Sequence, residues 1–355
     1  MVQQLKPFQE KDFSASGAYD AEFSGLPISK IGLRFGGTLT GSAATFRTDA
    51  AFRLLGTPEI NQAENPLIRM AGSSWRLLSA ILAGAFDVHT ASATLAHAQA
   101  MIDLQAIMPN AMINGADKKV FLRGTFGALA DFSGTAPTGC TGKVRAFIES
   151  SELDPTKGFL RPRFTESTLA LQDSDTNPHT FKFEQDTVAA FLMIQAWDNS
   201  AIDRVDTLIK RLRIDHVGPR GNIELHRMTW GQARTWLGKR FTPEDQARAA
   251  GCVCIPLIDR SNPQFNNAVL FRAGDSLTIN YDCQAAIEEE FVTAQTAAAN
   301  DVARATVIGF TPVAGTGDTA AQVRTISAAP SSVQVVALSS RERRRLARAQ
   351  RRGAE

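Results

Sequence analysis

Short runs of apolar and β-branched residues, broken roughly every ten positions by Gly, Pro, Asn, Asp or Thr, govern what this 355-residue chain can become. Ile31–Thr40 (IGLRFGGTLT), Ala51–Leu55, Lys119–Thr125, Lys143–Ile148, Phe181–Phe183 and Ala190–Ala196 (AFLMIQA) read as strands. So do Thr207–Asp215, Val253–Ile258, Val269–Phe271 and Ser276–Tyr281 (SLTINY). In Thr207–Asp215 the alternate positions Ile209, Arg211, Arg213 and Asp215 make a polar-leaning face, which describes a half-buried strand. Many short strands with no long amphipathic helix between them predict an all-β fold, a sandwich or jelly roll, and argue against a doubly wound α/β sheet.

Helices enter as insertions. Ser73–Ala85 carries apolar residues at helical spacing behind a serine N-cap, and the Ala-rich stretch Ala91–Ile107 also reads as helical. Thr242–Ala250 opens with Thr, Pro and two acids, the order that starts a short helix.

The length suits two domains. A weak internal echo supports duplication: Pro66–Met70 (PLIRM) resembles Thr207–Leu212 (TLIKRL). Ile102–Pro109 followed by Val120–Phe132 resembles Ile255–Pro263 followed by Val269–Asp282. Both echoes run in the same order at similar offsets, as a repeated unit of domain size requires.

The residues that carry this pattern resemble a known family. IGLRFGGTLTG at Ile31–Gly41 and PLIRMAGSSWRLLSAILAG at Pro66–Gly84 supply the first half. TLIKRLRIDHVGPRGNIELHRMTWGQA at Thr207–Ala233 and CIPLIDRSNPQFNNAVLFRAGDSLTINYD at Cys254–Asp282 supply the second. Together they are similar to the double jelly-roll major capsid proteins of tailless, membrane-containing icosahedral viruses, the tectivirus and corticovirus types and related lipid-containing phages. That resemblance spans about Leu26 to Thr319. It implies two tandem eight-stranded jelly rolls: an N-terminal arm over 1–25, a first roll over 26–150, a second over 151–322 and a C-terminal segment over 323–355. It also implies a homotrimer forming a pseudo-hexagonal block of an icosahedral shell, with penton or minor membrane proteins as neighbours. One chain end would face an internal membrane or genome, and the protein would reside in the virion after synthesis in the host cytoplasm.

Charge is distributed unevenly. The last fifteen residues, RERRRLARAQRRGAE, hold seven Arg (Arg341, Arg343, Arg344, Arg345, Arg348, Arg351 and Arg352) against two Glu, a net of +5. The whole chain sums to +2, so the remaining 340 residues carry −3. Such a tail is drawn to an anionic surface, either lipid head groups or genome phosphates. It holds no aromatic residue, so any nucleic-acid contact is expected to be non-specific rather than by base stacking. No run of about 18 apolar residues is free of charge, as a membrane-spanning helix requires, and the N-terminus lacks the basic-then-apolar order of a signal peptide.

Catalytic and metal motifs are sparse, and the chain is read as non-enzymatic with no cofactor. Cys140, Cys252, Cys254 and Cys283 are too few for a disulfide framework and read as buried thiols, with Cys252 and Cys254 on one strand face. His89 and His97 lie eight apart, on one helix face if that segment is helical, and His216 and His226 flank a turn that brings them near one another. Glu288–Glu290, with Asp275 and Asp282, is either a solvated acidic face or a cation site. Gly36–Gly41, Gly134–Gly142 and Gly315–Gly317 lack the endings of a phosphate or dinucleotide loop and read as turns. No His-x-His pair exists for a cupin metal site, and the 21 Phe against 2 Tyr disfavour carbohydrate platforms. A jelly-roll binding module, carbohydrate-binding or cupin-like, is the alternative from another class; a minor capsid or vertex protein is the alternative within the same one.

Overall fold

The computed structural model describes residues 6–314 without 8–9, 24–25, 42, 87–88, 116–117, 155, 199–202, 220, 258–268 and 284–300. In chain order the first half contains β1 (Lys6–Pro7), β2 (Lys11–Asp12), β3 (Ala18–Phe23), β4 (Pro27–Thr40), β5 (Ala44–Phe46) and α1 (Ala50–Arg53). β6 (Glu59–Gln62), β7 (Asn65–Arg69), α2 (Gly72–Ala83), β8 (His89–Ala91), β9 (Leu95–Asp103) and α3 (Leu104–Ile107) follow. β10 (Ile113–Asn114), β11 (Val120–Thr125), β12 (Ser133–Thr135) and β13 (Gly139–Ser150) complete it. The second half contains β14 (Phe159–Ala170), β15 (Asn177–Lys182), β16 (Thr187–Asp198), β17 (Asp203–Arg204), β18 (Arg211–Gly218), β19 (Gly221–Thr229), α4 (Trp230–Gly238) and α5 (Pro243–Arg248). β20 (Cys252–Pro256), β21 (Val269–Phe271), β22 (Ser276–Asp282) and β23 (Val302–Val313) close it.

The pairing follows one plan twice. With strands lettered B to I along each half, one sheet runs B-I-D-G and the other C-H-E-F. In the first half these are β1/β2-β13-β4-β9 and β3-β11-β6-β7. In the second they are β14-β23-β16-β20 and β15-β22-β18-β19. Each half is an eight-stranded jelly roll with one long helix, α2 or α4, between strands F and G. Among the described strands all pairs are antiparallel but one: β7 lies parallel to β14, Phe164 opposite Ile68 and Thr165 opposite Arg69. That contact fuses the C-H-E-F sheet of the first roll to the B-I-D-G sheet of the second.

This fusion explains the most apolar run in the chain. β16 is buried at all twelve positions. Ala189, Leu192, Ile194 and Ala196 point into the core of the second roll, while Val188, Ala190, Phe191 and Met193 join the core cluster of the first. A strand covered on both faces shows a continuous rather than an alternating apolar pattern. β20 divides in the same way: Cys252 and Cys254 share one face, as their spacing predicts, and Val253 and Ile255 take the other.

Several expectations need correction. Ala51–Leu55 is not a strand but contains most of α1. Ala91–Ile107 is not a helix; it supplies the end of β8, the strand β9 and only four residues of helix, α3. Ala96, Ala98, Ala100 and Ile102 alternate inward, and the period of two is masked by alanine, a strong helix former. β9 is held between β4 and β8, and α2 packs on it, Ser79 Oγ accepting from Met101 N at 3.0 Å. The run Thr207–Asp215 becomes a strand only from Arg211, and a bulge after Ile214 turns Asp215 inward. The described parts of 1–25 are more than an arm: β1 and β2 pair with β13, and β3 pairs with β11 along six positions. The alternation of AYDAEF, with Tyr19, Ala21 and Phe23 buried, accounts for that pairing.

α2 forms where its spacing predicts, but its N-cap is Ala71, which has no capping side chain; the C-cap Gly84 adopts φ 76°. α5 starts as read, Thr242 Oγ1 accepting from Asp245 N at 3.3 Å with Pro243 behind it. Of the two echoes, the second aligns the G-to-H segments of the two rolls. The first pairs strand F of one roll with the approach to strand E of the other, so those segments are not equivalent.

Candidate functional site

Two buried ion pairs lie where the two rolls meet. Asp49, at the N-cap of α1, has no exposed side chain and is paired with Arg76 of α2 and with Arg204 of β17 at 3.3 Å. Burial raises the Asp49 pKa, but the Arg204 and Arg76 guanidiniums outweigh it and hold the carboxyl below its usual range. Arg204 also donates to Cys252 Sγ at 2.9 Å and to the Arg248 carbonyl at 2.9 Å, so one guanidinium ties α1, β20 and α5 together. Three arginines, Arg53, Arg204 and Arg304, lie over the Trp197 ring at 4.8, 5.8 and 5.3 Å.

A second cluster centres on Glu166 of β14. Its carboxylate accepts from Ala71 N at 3.1 Å, from Ser74 Oγ and from Thr306 Oγ1 at 3.1 Å, with Arg304 Nε at 3.6 Å. A side chain from the second roll therefore caps the helix of the first, which lacks a cap of its own. Gln195 Nε2 donates to Ser74 Oγ at 2.7 Å, and Arg304 donates to Ser73 Oγ at 3.0 Å. Sequence reading missed this junction. Its only trace was polar residues set inside apolar runs, Arg76 in SSWRLLSAIL and Gln195 in AFLMIQAW.

The histidines are distributed rather than convergent. His89 and His97 lie on paired strands, not on a helix. Ala51 N donates to His89 Nε2 at 3.3 Å, and Arg34 Nε donates to His97 Nε2 at 3.1 Å. Burial, then the Arg76 charge, pushes His89 down to about 4. His216 of β18 meets Asp275, just before β22, at 2.8 Å, and Asp275 also accepts from Arg272 N at 2.8 Å, which fixes the turn leading into β22. His226 sits opposite Ile214 in the register, and burial lowers its pKa. His179 is buried against the Tyr281 hydroxyl at 3.3 Å. Burial pushes the Cys140 and Cys252 thiols up to about 11 and Cys283 to about 12, opposite to what a nucleophile needs. Among the described residues no group of three or more His, Cys, Asp and Glu is placed to hold a metal ion. No described helix is long and apolar enough to cross a membrane. Arg341, Arg343, Arg344, Arg345, Arg348, Arg351, Arg352, Glu288–Glu290 and Gly315–Gly317 lie outside the described residues.

Two jelly rolls of identical connectivity, fused edge to edge along one chain, define a double jelly roll. Solved structures share it. One described as the atomic structure of Sulfolobus Turreted Icosahedral Virus superposes with a TM-score of 0.66 at 12% identity, over 91% of this chain and 96% of that one. A chain of the PBCV-1 virus capsid gives 0.58 at 12% identity, over 90% and 97%. The major capsid protein P2 from bacteriophage PM2 gives 0.52 at 9% identity, over 87% of this chain and all of the other. No protein-family model matches the sequence, and no curated protein matches it.

Proposed function

We propose that this chain is a structural virion protein, the major capsid protein of an icosahedral virus, and that it has no catalytic role. The observation that carries the reading is the fold. A double jelly roll spans the chain and is shared over nearly the whole length of chains from two virus structures and of the major capsid protein of a phage. The charged residues of the junction are consistent with it, because they tie one roll to the other. The two rolls divide the chain between Ser150 and Phe159. They associate as homotrimers that tile the shell around an internal membrane and genome. The segment 323–355 carries the Arg-rich tail (Arg341, Arg343, Arg344, Arg345, Arg348, Arg351 and Arg352) to anionic lipid or to nucleic acid. Penton or minor membrane proteins complete the assembly.

Size-exclusion chromatography with light scattering tests this. A trimer near three times 38.4 kDa, or closed shells, is the expected result. A monomer that persists at high concentration overturns it in favour of a jelly-roll binding module.

A further inference from the structure

A cavity of about 310 Å³ lies between the two rolls, at the lower end of the size range of ligand pockets. The first roll contributes Arg53 at the end of α1, Thr57, Ser73 at the start of α2 and Asp131. The second contributes Trp197 and Asp198 at the end of β16 and Arg304 at the start of β23. The ties between the rolls account for Arg304, which donates to Ser73 and faces Glu166, but not for the hollow beside it.

Three properties of the wall call for an anionic oxygen. Trp197 is 7% exposed, and its Nε1 has no hydrogen-bond partner among the described residues. An indole N–H only donates, so an acceptor is what it lacks. Arg53 and Arg304 both lie against this ring, 4.8 and 5.3 Å from its centre, and that contact holds two planar, donor-rich groups in place. Burial pushes Arg53 down to about 10, with the Arg47 and Arg304 charges adding to the effect and those of Asp49 and Asp203 opposing it. A negative group beside Arg53 relieves that cost.

The same wall carries two carboxylates. Asp131 Oδ2 accepts from Ala128 N at 2.8 Å, and Asp198 is 7% exposed. They repel a bare oxyanion, but a hydroxyl group donates to them. With the Thr57 and Ser73 hydroxyls, the cavity matches a molecule that bears one carboxylate and several hydroxyls. Such a ligand is recognised through charge and hydroxyl contacts, because the Trp197 ring is taken up by guanidiniums and gives no platform for a sugar face.

We propose that this cavity binds a sugar acid unit, its carboxylate held by Arg53, Arg304 and the Trp197 N–H and its hydroxyls by Asp131 and Asp198. β23 runs from Val302 at the cavity to Val313, about 40 Å away, and the C-terminal segment continues from that far end. With the tail meeting lipid or genome inside a shell, the cavity lies at the outward end of the molecule, within reach of an acidic polysaccharide on a cell surface. That placement, though not the chemistry of the site, rests on the function proposed above.

The test is isothermal titration of the full-length protein with sodium glucuronate, compared with glucose, acetate and inorganic phosphate. Glucuronate is expected to bind at least about tenfold more tightly than each of the three. Equal binding of acetate or phosphate would make this a plain anion site, and equal binding of glucose would remove the role of the arginines; either overturns the proposal. Two variants locate the site. Arg304→Gln removes a charge, and Thr57→Trp fills the cavity from an exposed position outside the core. Each should weaken glucuronate binding at least about tenfold with the circular dichroism spectrum unchanged. Parental affinity in folded Thr57→Trp overturns the assignment, whether or not Arg304→Gln folds. An oligomer or shell that binds no glucuronate overturns the site and leaves assembly standing. A monomer that binds it overturns assembly and the outward placement and leaves the site.

Discussion

His89 shows how a residue that looks like a ligand becomes a structural group. Its ring stacks on Phe52 with centroids 5.9 Å apart, and its Nε2 accepts the Ala51 amide, which requires a neutral ring. Its folded pKa, about 4, lies below the value near 6.5 of an unfolded histidine, so between those pH values the unfolded chain binds more protons. Stability therefore falls as pH drops from about 6.5 to about 4, by up to about 3 kcal/mol from this residue. His97, His179 and His226, also shifted down by burial, add in the same direction. The expected outcome is a urea midpoint that drops between pH 7 and pH 5, and a smaller drop in His89→Gln. Asp49 acts in the same direction, but at lower pH. Its lowered pKa contributes stability that is complete above the normal carboxylate range and lost only in stronger acid.

Among the elements, the two interstrand helices are capped by different logic. α4 carries its own cap in Thr229, where Gln232 N donates to Thr229 Oγ1 at 3.2 Å; α2 borrows Glu166 from a strand 95 residues further on. Glu166→Ala removes the cap and leaves the Ala71 amide and the Ser74 hydroxyl without their acceptor. It is expected to cost about 2 kcal/mol, against about 1 kcal/mol for Thr229→Ala. Urea denaturation of the two variants checks the difference; equal losses would mean that Glu166 acts only as a local cap. Local signals sufficed where a cap lay in the segment itself, as at Thr242–Arg248, or where a helical apolar stripe did, as in α2. They failed for β9, where three alanines point inward and only pairing with β4 and β8 makes the segment a strand. They failed again at Asp49 and Arg204, 155 residues apart, because no spacing rule brings such residues together.

Taken whole, the molecule is two copies of one plan, whose junction is a parallel strand pair plus a cluster of buried charge. The basic tail lies beyond the described residues, and its expected behaviour follows from its charge. Deleting 341–355 should leave the oligomer intact while weakening attachment to anionic vesicles or to DNA, in a salt-dependent way. Co-sedimentation at two ionic strengths reads this directly; loss of the oligomer itself would show that the tail builds the particle. Alternation of apolar side chains, turn residues and the absence of long helices determined from the sequence alone that the chain is all-β, that it is long enough for two rolls, and where α2 and α5 lie. Those properties are local, set by a residue and neighbours within about four positions. Only the tertiary structure decided that β1, β2 and β3 belong to the sheets, that β16 is covered on both faces, and that Glu166 caps a helix of the other roll. Each depends on contacts between distant segments, whose partners no local period records.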